Sequence, residues 1–211
     1  MIKLVAFDLD GTIANTIPMC IKAFKLAVTP YFSKELSEDD IVRTFGLNEE
    51  GMIKQVVSED WEKALIDFYS IYEQMHTICL QPFVGIRELI TDLKEKSIIT
   101  PLITGKGQRS CNITLHHFEM ETLFDTVSVG TPDKNTKAES MVKLMLNYNI
   151  QPTEMVYVGD EFSDITACHK VGVRCLSAAW EASPSKMEKL EKENQGYVFS
   201  SVESLRSFLL K

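Results

Sequence analysis

The sequence lacks the features of a membrane-embedded, secreted or nucleic-acid-binding protein. No uninterrupted apolar stretch in the 211 residues approaches the length of a membrane span. The chain does not open with a basic region and an apolar segment of signal-peptide type. Positive charge is also in deficit, because the formal net charge is -8. This balance argues against a surface that binds nucleic acid or an anionic membrane. We therefore expect a cytoplasmic protein with no nucleic-acid partner and no membrane partner.

Cysteine pairs and repeated segments are missing as well. The five cysteines are odd in number and scattered, and no two of them form a CxxC pair. This usage predicts buried thiols in a reducing compartment rather than a disulfide framework. The sequence has no internal repeat and no low-complexity segment, and its 45% hydrophobic and 25% charged residues are ordinary for a globular protein.

Short apolar runs alternate with helical patterns along most of the chain. Continuous apolar runs with β-branched residues are typical of strands covered on both faces. Helical spacing recurs at 84–96 and 137–148. Strands that alternate with helices predict an α/β fold with a doubly wound, Rossmann-like parallel sheet. The predicted strands are 2–7, 98–104, 126–129, 155–158 and 173–176.

One long segment interrupts this alternation. From about Asn15 to Leu80 no stretch resembles a strand, and its length far exceeds an ordinary strand-to-helix connection. We predict a helical cap domain at 15–80, inserted into a core domain of 1–14 and 81–211. The helical patterns inside the segment are 17–28, 37–44, 49–57 and 60–76.

Polar residues stand where three of the predicted strands end. In an open parallel sheet, ligands bind outside the carboxyl ends of the strands, near the point where strand order reverses. We therefore expect these residues to meet at one edge of the sheet. They are Asp8 and Asp10 after the first strand, Thr104 and Gly105 after the second, and Asp160 and Asp164 after the fourth.

Four carboxylates in one crevice predict a metal ion and phosphoryl chemistry. Their mutual repulsion raises their pKa values unless a cation is present, and Mg²⁺ favours carboxylate and carbonyl oxygens. Asp8 and Asp10, two positions apart, can divide the work, one as nucleophile and the other as proton donor and acceptor. The Thr104 hydroxyl, backbone N–H groups and a lysine can bind the phosphoryl oxygens.

Four segments resemble the motifs of the haloacid dehalogenase superfamily: FDLDGTIANT (7–16), LITGK (102–106), a following lysine, and YVGDEFSDITA (157–167). The sequence is most similar to the phosphatase branch with a helical cap after the first motif. That branch includes phosphoglycolate phosphatase-like and β-phosphoglucomutase-like proteins. The resemblance implies a Mg²⁺-dependent phosphatase that hydrolyses a small phosphorylated metabolite through an aspartyl-phosphate.

The resemblance also implies a role for each motif residue. Asp8 would be the nucleophile and Asp10 the general acid and base, while Thr104, Gly105 and the lysine would bind phosphate. Mg²⁺ would be held by Asp8, the carbonyl of Asp10 and Asp160, with Asp164 acting through the metal's water ligands. Gly105-Lys106 follows Thr104 here, in place of the Asn or Ser that is commoner in relatives.

The lysine of the third motif is either Lys134 or Lys137. We predict Lys137, because Thr136 and Glu139 have the spacing of a capping box that would begin a helix there. A lysine in that first turn would lie beside the anion-binding end of the helix. Lys134 falls in a Pro- and Asn-containing loop and is expected to be solvated.

The substrate contacts of the cap are expected in the turn RTFGLNEE (43–50). This turn resembles the loop that reaches into the site of capped relatives, so Arg43 and Asn48 are candidates.

Two alternatives remain open. One is a sugar-phosphate mutase of the same superfamily, although the stretch TIPMCIKAF lacks the cap histidine that such mutases carry. The other is a non-catalytic phospho-acceptor or binding protein, whose phosphorylated aspartate would follow the third strand rather than the first.

Overall fold

The computed structural model describes residues 1–31 and 36–211. Six parallel strands form one sheet with the order β3-β2-β1-β4-β5-β6. The predicted α/β fold is confirmed, and β6 adds a sixth strand at the sheet edge. The strands are β1 Leu4–Phe7, β2 Leu102–Ile103, β3 Val127–Ser128, β4 Met155–Gly159, β5 Arg174–Ala178 and β6 Val198–Phe199.

Helices cover the sheet and also form the long insertion after β1. Within the described residues, no helix is both long and apolar enough to cross a lipid bilayer. The first four are α1 Ile17–Val28, α2 Glu38–Val42, α3 Glu49–Val56 and α4 Trp61–Met75, which we call the helical insert. The others are α5 Ile86–Glu95, α6 Gln108–His117, α7 Lys137–Tyr148, α8 Phe162–Val171, α9 Pro184–Glu193 and α10 Val202–Leu209.

The central strand β1 pairs with β2 on one side and β4 on the other. The chain builds β2 and β3 on one side of β1, and then β4, β5 and β6 on the other, so strand order reverses between β1 and β4. The register aligns Phe7 with Val158. The residues that follow these two strands therefore face one crevice, where doubly wound sheets bind ligands.

Alternate residues of β1 pack into two different apolar clusters. Leu4 and Ala6 join the helices α7 and α8 on one face of the sheet. Val5 and Phe7 join a larger cluster on the other face, which includes Phe24 of the helical insert. The helical insert thus shares a continuous apolar core with the sheet. Its helices fall inside 15–80, and the domain boundaries at 14/15 and 80/81 remain a prediction.

Candidate active site

The turn after β1 brings the two motif aspartates to the crevice. The N–H of Ile13 donates to the carbonyl of Leu9 at 2.9 Å, and the N–H of Gly11 donates to that of Ala14 at 2.9 Å. Gly11 has φ +75°, and a Cβ there would lie 2.5 Å from Asp160 Oδ2. A side chain at this position is therefore both strained and blocked, so the tight turn requires glycine.

Asp8 is buried and bonded to a buried lysine. Its Oδ1 accepts from the N–H of Leu9 at 2.8 Å, and its Oδ2 lies 2.7 Å from Lys137 Nζ. The same Nζ lies 2.6 Å from Asp164 Oδ1. Burial opposes the charge of Lys137, but the attraction of Asp164 and Asp8 raises its pKa well above the usual range. The ammonium group of Lys137 therefore pairs with two carboxylates, those of Asp8 and Asp164.

Asp160 lies beside this group and keeps one oxygen free. Its Oδ2 is 3.0 Å from Lys186 Nζ, which also bonds Glu161 at 2.6 Å. Asp160 is 5% exposed, and its buried Oδ1 has no hydrogen-bond partner. An orphaned carboxylate oxygen in a buried position is costly unless a ligand satisfies it.

The buried carboxylates of Asp8, Asp160 and Asp164 fit a hard divalent cation. One oxygen from each lies within 4.8 Å of the others. Burial raises the pKa of Asp8 to about 7, against the lowering effect of Lys137. Burial also raises the pKa of Asp160 well above its usual range. A cation held between them would offset this penalty, and carboxylate oxygens are the donors that Mg²⁺ prefers.

Asp10 occupies a different environment on the same crevice. Its Oδ1 accepts a short hydrogen bond from Thr16 Oγ1 and lies 3.3 Å from Lys106 Nζ. Its side chain is 25% exposed, against 7% for that of Asp8. Asp10 is therefore the more accessible of the two motif carboxylates, and its side chain is not part of the buried three-carboxylate group.

Lys106 is a buried cation to which the sequence analysis assigned no role. Its Nζ bonds Cys20 Sγ at 3.1 Å and lies 4.3 Å from the ring centroid of Tyr72. Burial opposes its charge, but Asp10 and the neighbouring polar groups raise its pKa well above the usual range. The one feature of the sequence that could have indicated a role for Lys106 is its position two residues after Thr104.

The second motif supplies backbone and hydroxyl groups at the same edge. The hydroxyl oxygen of Thr104 accepts from the N–H of Lys106 at 3.2 Å, and its side chain is buried. Gly105 lines the cavity described below. A Cβ at Gly130 would lie 2.0 Å from the Gly105 carbonyl oxygen, so glycine there lets the next loop pack closely against this motif.

A buried glutamate joins the helical insert to the core. Glu49 Oε2 accepts from the N–H of Gly107 at 2.8 Å, and Oε1 accepts a short hydrogen bond from Ser110 Oγ. Gly107 directly precedes α6 and Ser110 lies in its first turn, where a carboxylate accepts from unpaired donors and interacts favourably with the helix dipole. Sequence pattern alone did not indicate this contact.

The two candidate substrate residues of the helical insert do not line the cavity. Asn48 begins α3, accepting from the N–H of Gly51 at 3.1 Å and donating to the Gly130 carbonyl at 3.4 Å. Arg43 is 77% exposed and lies 3.5 Å from Asp40. Both side chains have structural partners, so contact of either with a substrate remains a prediction.

The lysine preferred for the third motif begins α7, as predicted, but without the predicted capping box. Thr136 makes no side-chain capping bond. Asn135 Oδ1 accepts the N–H of Lys137 at 3.0 Å instead. Glu139 pairs at 2.5 Å with Lys134, which is 60% exposed. The side chain of Asn135 therefore caps the start of α7 in place of Thr136, and Glu139 pairs with Lys134 instead of completing the capping box.

A cavity of about 590 Å³ lies between the sheet edge and the helical insert. Asp8, Asp10, Gly105, Lys106 and Lys137 all line it. Its volume is in the range of pockets for small organic molecules. These residues come from three of the motif segments, and the fourth contributes Glu161 and Ser163 to the lining, whereas Thr104, Asp160 and Asp164 do not line the cavity.

The fold and this cavity define an α/β enzyme with its site at the switch point of a parallel sheet. Residues 5–178 match the family model of the haloacid dehalogenase-like hydrolases. The chain belongs to that family and is a hydrolase.

Relatives agree with this assignment over most of the chain. A protein of Caldanaerobacter subterraneus subsp. tengcongensis, named as a candidate pyrophosphatase PpaX, is 27% identical over 90% of this chain and 88% of its own. The phosphoglycolate phosphatase of Synechococcus elongatus is 24% identical over 84% of each chain. The crystal structure of a predicted phosphoglycolate phosphatase from Haemophilus somnus 129pt has a TM-score of 0.79 at 17% identity. It covers 99% of this chain and 98% of that one, and shows the same fold.

Proposed function

We propose that this hydrolase is a Mg²⁺-dependent phosphatase that cleaves a small phosphomonoester through an aspartyl-phosphate. The observation that carries the proposal is the pair of cavity-lining aspartates. Asp8 is buried and bonded to the buried Lys137, while Asp10 is more exposed and bonded to Thr16 and Lys106. Two carboxylates in different environments suit two different chemical roles.

The reaction needs two displacements at phosphorus. First, an oxygen of Asp8 bonds to phosphorus while the bond between phosphorus and the ester oxygen breaks. Asp10 gives a proton to the departing ester oxygen, which leaves as the alcohol. Then a water molecule gives a proton to Asp10 and bonds to phosphorus, and the bond to Asp8 breaks. The products are an alcohol and inorganic phosphate, and both aspartates return to their starting states.

The surrounding residues bind the phosphoryl group and balance its charge. Lys137 stands beside Asp8, where its ammonium group can donate to a phosphoryl oxygen, and Gly105 lines the same space, with the buried Thr104 directly before it in the chain. Mg²⁺ would be held by Asp8, the carbonyl of Asp10 and Asp160, with Asp164 in support. When bound, it supplies positive charge for the phosphoryl oxygens.

The position of the helical insert supports its role as a cap. It closes one side of the cavity and contacts the core through Glu49, so it can exclude bulk water from the reaction. Within the described residues no histidine lines the cavity, which favours hydrolysis over the mutase alternative. All five cysteines are free thiols, which supports a reducing, cytoplasmic location.

The experiment is phosphate release from 4-nitrophenyl phosphate with Mg²⁺. Wild type should turn over, and Asp8→Asn should be inactive while its circular dichroism stays unchanged, because the amide is close in shape but a poor nucleophile. Asp133→Asn, at an exposed loop position, is the matched control and should keep full activity. Wild-type turnover by Asp8→Asn would remove Asp8 from the mechanism.

A further inference from the structure

The two sides of the cavity differ sharply in chemistry. The core side carries the carboxylates and lysines described above. The side formed by the helical insert is almost entirely apolar, and its side chains come from all of the helices α1 to α4 and the loop before α3. Six of these side chains form what we call the apolar wall: Phe24, Val42, Phe45, Leu47, Met52 and Phe68.

The described residues of the helical insert offer no cationic side chain to a substrate in the cavity. Among its described residues no lysine or arginine lines the cavity, and its one charged lining residue is Glu49, a carboxylate. The three lysines of the core side already serve the carboxylates there: Lys137 binds Asp8 and Asp164, Lys186 binds Asp160 and Glu161, and Lys106 binds Asp10.

An anionic leaving group would therefore meet a poor environment. A carboxylate or second phosphate placed against the apolar wall would lose its hydration without gaining a partner, and Glu49 would repel it. An alkyl or aryl group would instead bury apolar surface against aromatic and aliphatic side chains. The names of the two relatives imply leaving groups that are both anionic, glycolate and phosphate.

We propose that the substrate is a phosphomonoester of an uncharged, apolar alcohol, whose alkyl or aryl group packs against the helical insert. This inference rests on the proposed phosphatase function. It assigns specificity to the apolar wall, with the phosphoryl group at Asp8 and the leaving group directed toward Phe45 and Met52.

The first test uses wild-type protein and a series of ethyl, butyl and hexyl phosphates. Their leaving alcohols have similar acidity, so kcat/KM follows binding of the chain. We expect an increase of about fourfold for each added methylene, as apolar burial at about 0.8 kcal/mol per methylene predicts. A hexyl phosphate analogue that ends in a carboxylate should be at least about tenfold poorer than hexyl phosphate, because its charge is buried without a partner.

The second test places a cation on the wall. Val42 lines the cavity at its mouth and is 45% exposed, so Val42→Lys is compatible with folding. We expect the preference for hexyl phosphate over its carboxylate analogue to fall about tenfold, through a charge-assisted contact. Leu146→Lys is the matched control, since Leu146 is a 75% exposed residue of α7 outside the cavity, and it should leave the preference unchanged.

The outcomes separate this inference from the proposed function. A flat or falling chain-length series, or a wild-type preference for the carboxylate analogue, would overturn the apolar assignment while 4-nitrophenyl phosphate is still hydrolysed. An unchanged preference in Val42→Lys would overturn the role of the wall. No phosphate release from any ester, 4-nitrophenyl phosphate included, would overturn the phosphatase function and this inference with it.

Discussion

Replacing Lys137 by alanine should lower both the free energy of unfolding and the rate of catalysis, because this lysine pairs with two buried carboxylates. The Nζ atom lies 2.7 Å from Asp8 and 2.6 Å from Asp164, and the lysine side chain is 9% exposed. Removing one partner of a buried ion pair costs about 3–5 kcal/mol. Because this lysine serves two carboxylates, we expect the metal-free variant to lose an amount near the upper end of that range. At a urea m-value of about 2 kcal/mol/M, the unfolding midpoint would fall by roughly 2 M.

The loss should depend on pH in a defined direction. Burial raises the pKa of Asp8 from 3.8 to about 7 even with Lys137 present, and removing the lysine takes away the main opposing effect. A carboxyl group with a higher pKa in the folded state binds a proton on folding, so stability falls as pH rises from the unfolded pKa toward the folded one. The destabilisation of Lys137→Ala should therefore be smaller at pH 5 than at pH 8.

Steady-state kinetics provide the second measurement for this variant. Loss of a preorganised donor to a developing charge lowers kcat by about 10²–10³. Lys134→Ala is the matched control, since its partner Glu139 is also exposed and such a surface pair contributes about 0–1 kcal/mol. Small, equal stability losses in the two variants would refute the buried-pair argument. Stronger kinetic impairment in Lys134→Ala would place the phosphate-binding lysine three residues earlier.

Three further predictions concern the metal and the helical insert. Turnover should stop in excess EDTA and return with Mg²⁺, and undiminished activity in the chelator would argue against a dissociable metal. Activity titrations with Mg²⁺ should show a larger rise in the requirement for Asp160→Ala than for Asp164→Ala. The reason is that both oxygens of Asp164 already accept hydrogen bonds, from Lys137 and the N–H of Glu161, whereas Asp160 Oδ1 has none. Glu49→Ala should lower the free energy of unfolding by about 1–3 kcal/mol, because two donors at the start of α6 lose their acceptor. A loss below about 0.5 kcal/mol in urea unfolding, the range of ordinary surface substitutions, would contradict that role.

Apolar pattern predicted the architecture because a parallel sheet buries its strands on both faces. All four residues of β1 are 0% exposed, and its sequence is correspondingly apolar throughout. The predicted helix 137–148 matches α7, whose apolar residues recur at helical spacing. The strand β6, Val198–Phe199, stands in an apolar run of only three residues, whereas the equally short β2 lies in the longer run 98–104. Its identity as a strand comes from pairing with β5, which no local pattern encodes.

The site was predictable only as far as its motifs follow strand ends. Asp8 and Asp160 each stand directly after a strand, so topology alone brings them together. Lys106 and Glu49 were not assigned because their partners are remote, 86 residues away at Cys20 and 58 away at Gly107. Such pairs depend on how the helical insert packs on the core. The prediction at Thr136 failed for a local reason, because the side chain of the neighbouring Asn135 accepts the N–H of Lys137.

The ion pairs around Asp8 and Asp160 show how much negative charge a bound cation would have to balance. Three lysines are bonded to five carboxylates there, so two negative charges would remain with every group ionised. A dianionic phosphate that approached this edge alone would be repelled. The divalent cation of the proposed mechanism would bring this sum to zero, and a phosphoryl group would then meet a neutral site with oriented donors. A Mg²⁺ ion held beside Asp8, as in the proposed mechanism, would favour the ionised carboxylate, because burial raises the pKa of Asp8 to about 7 without it.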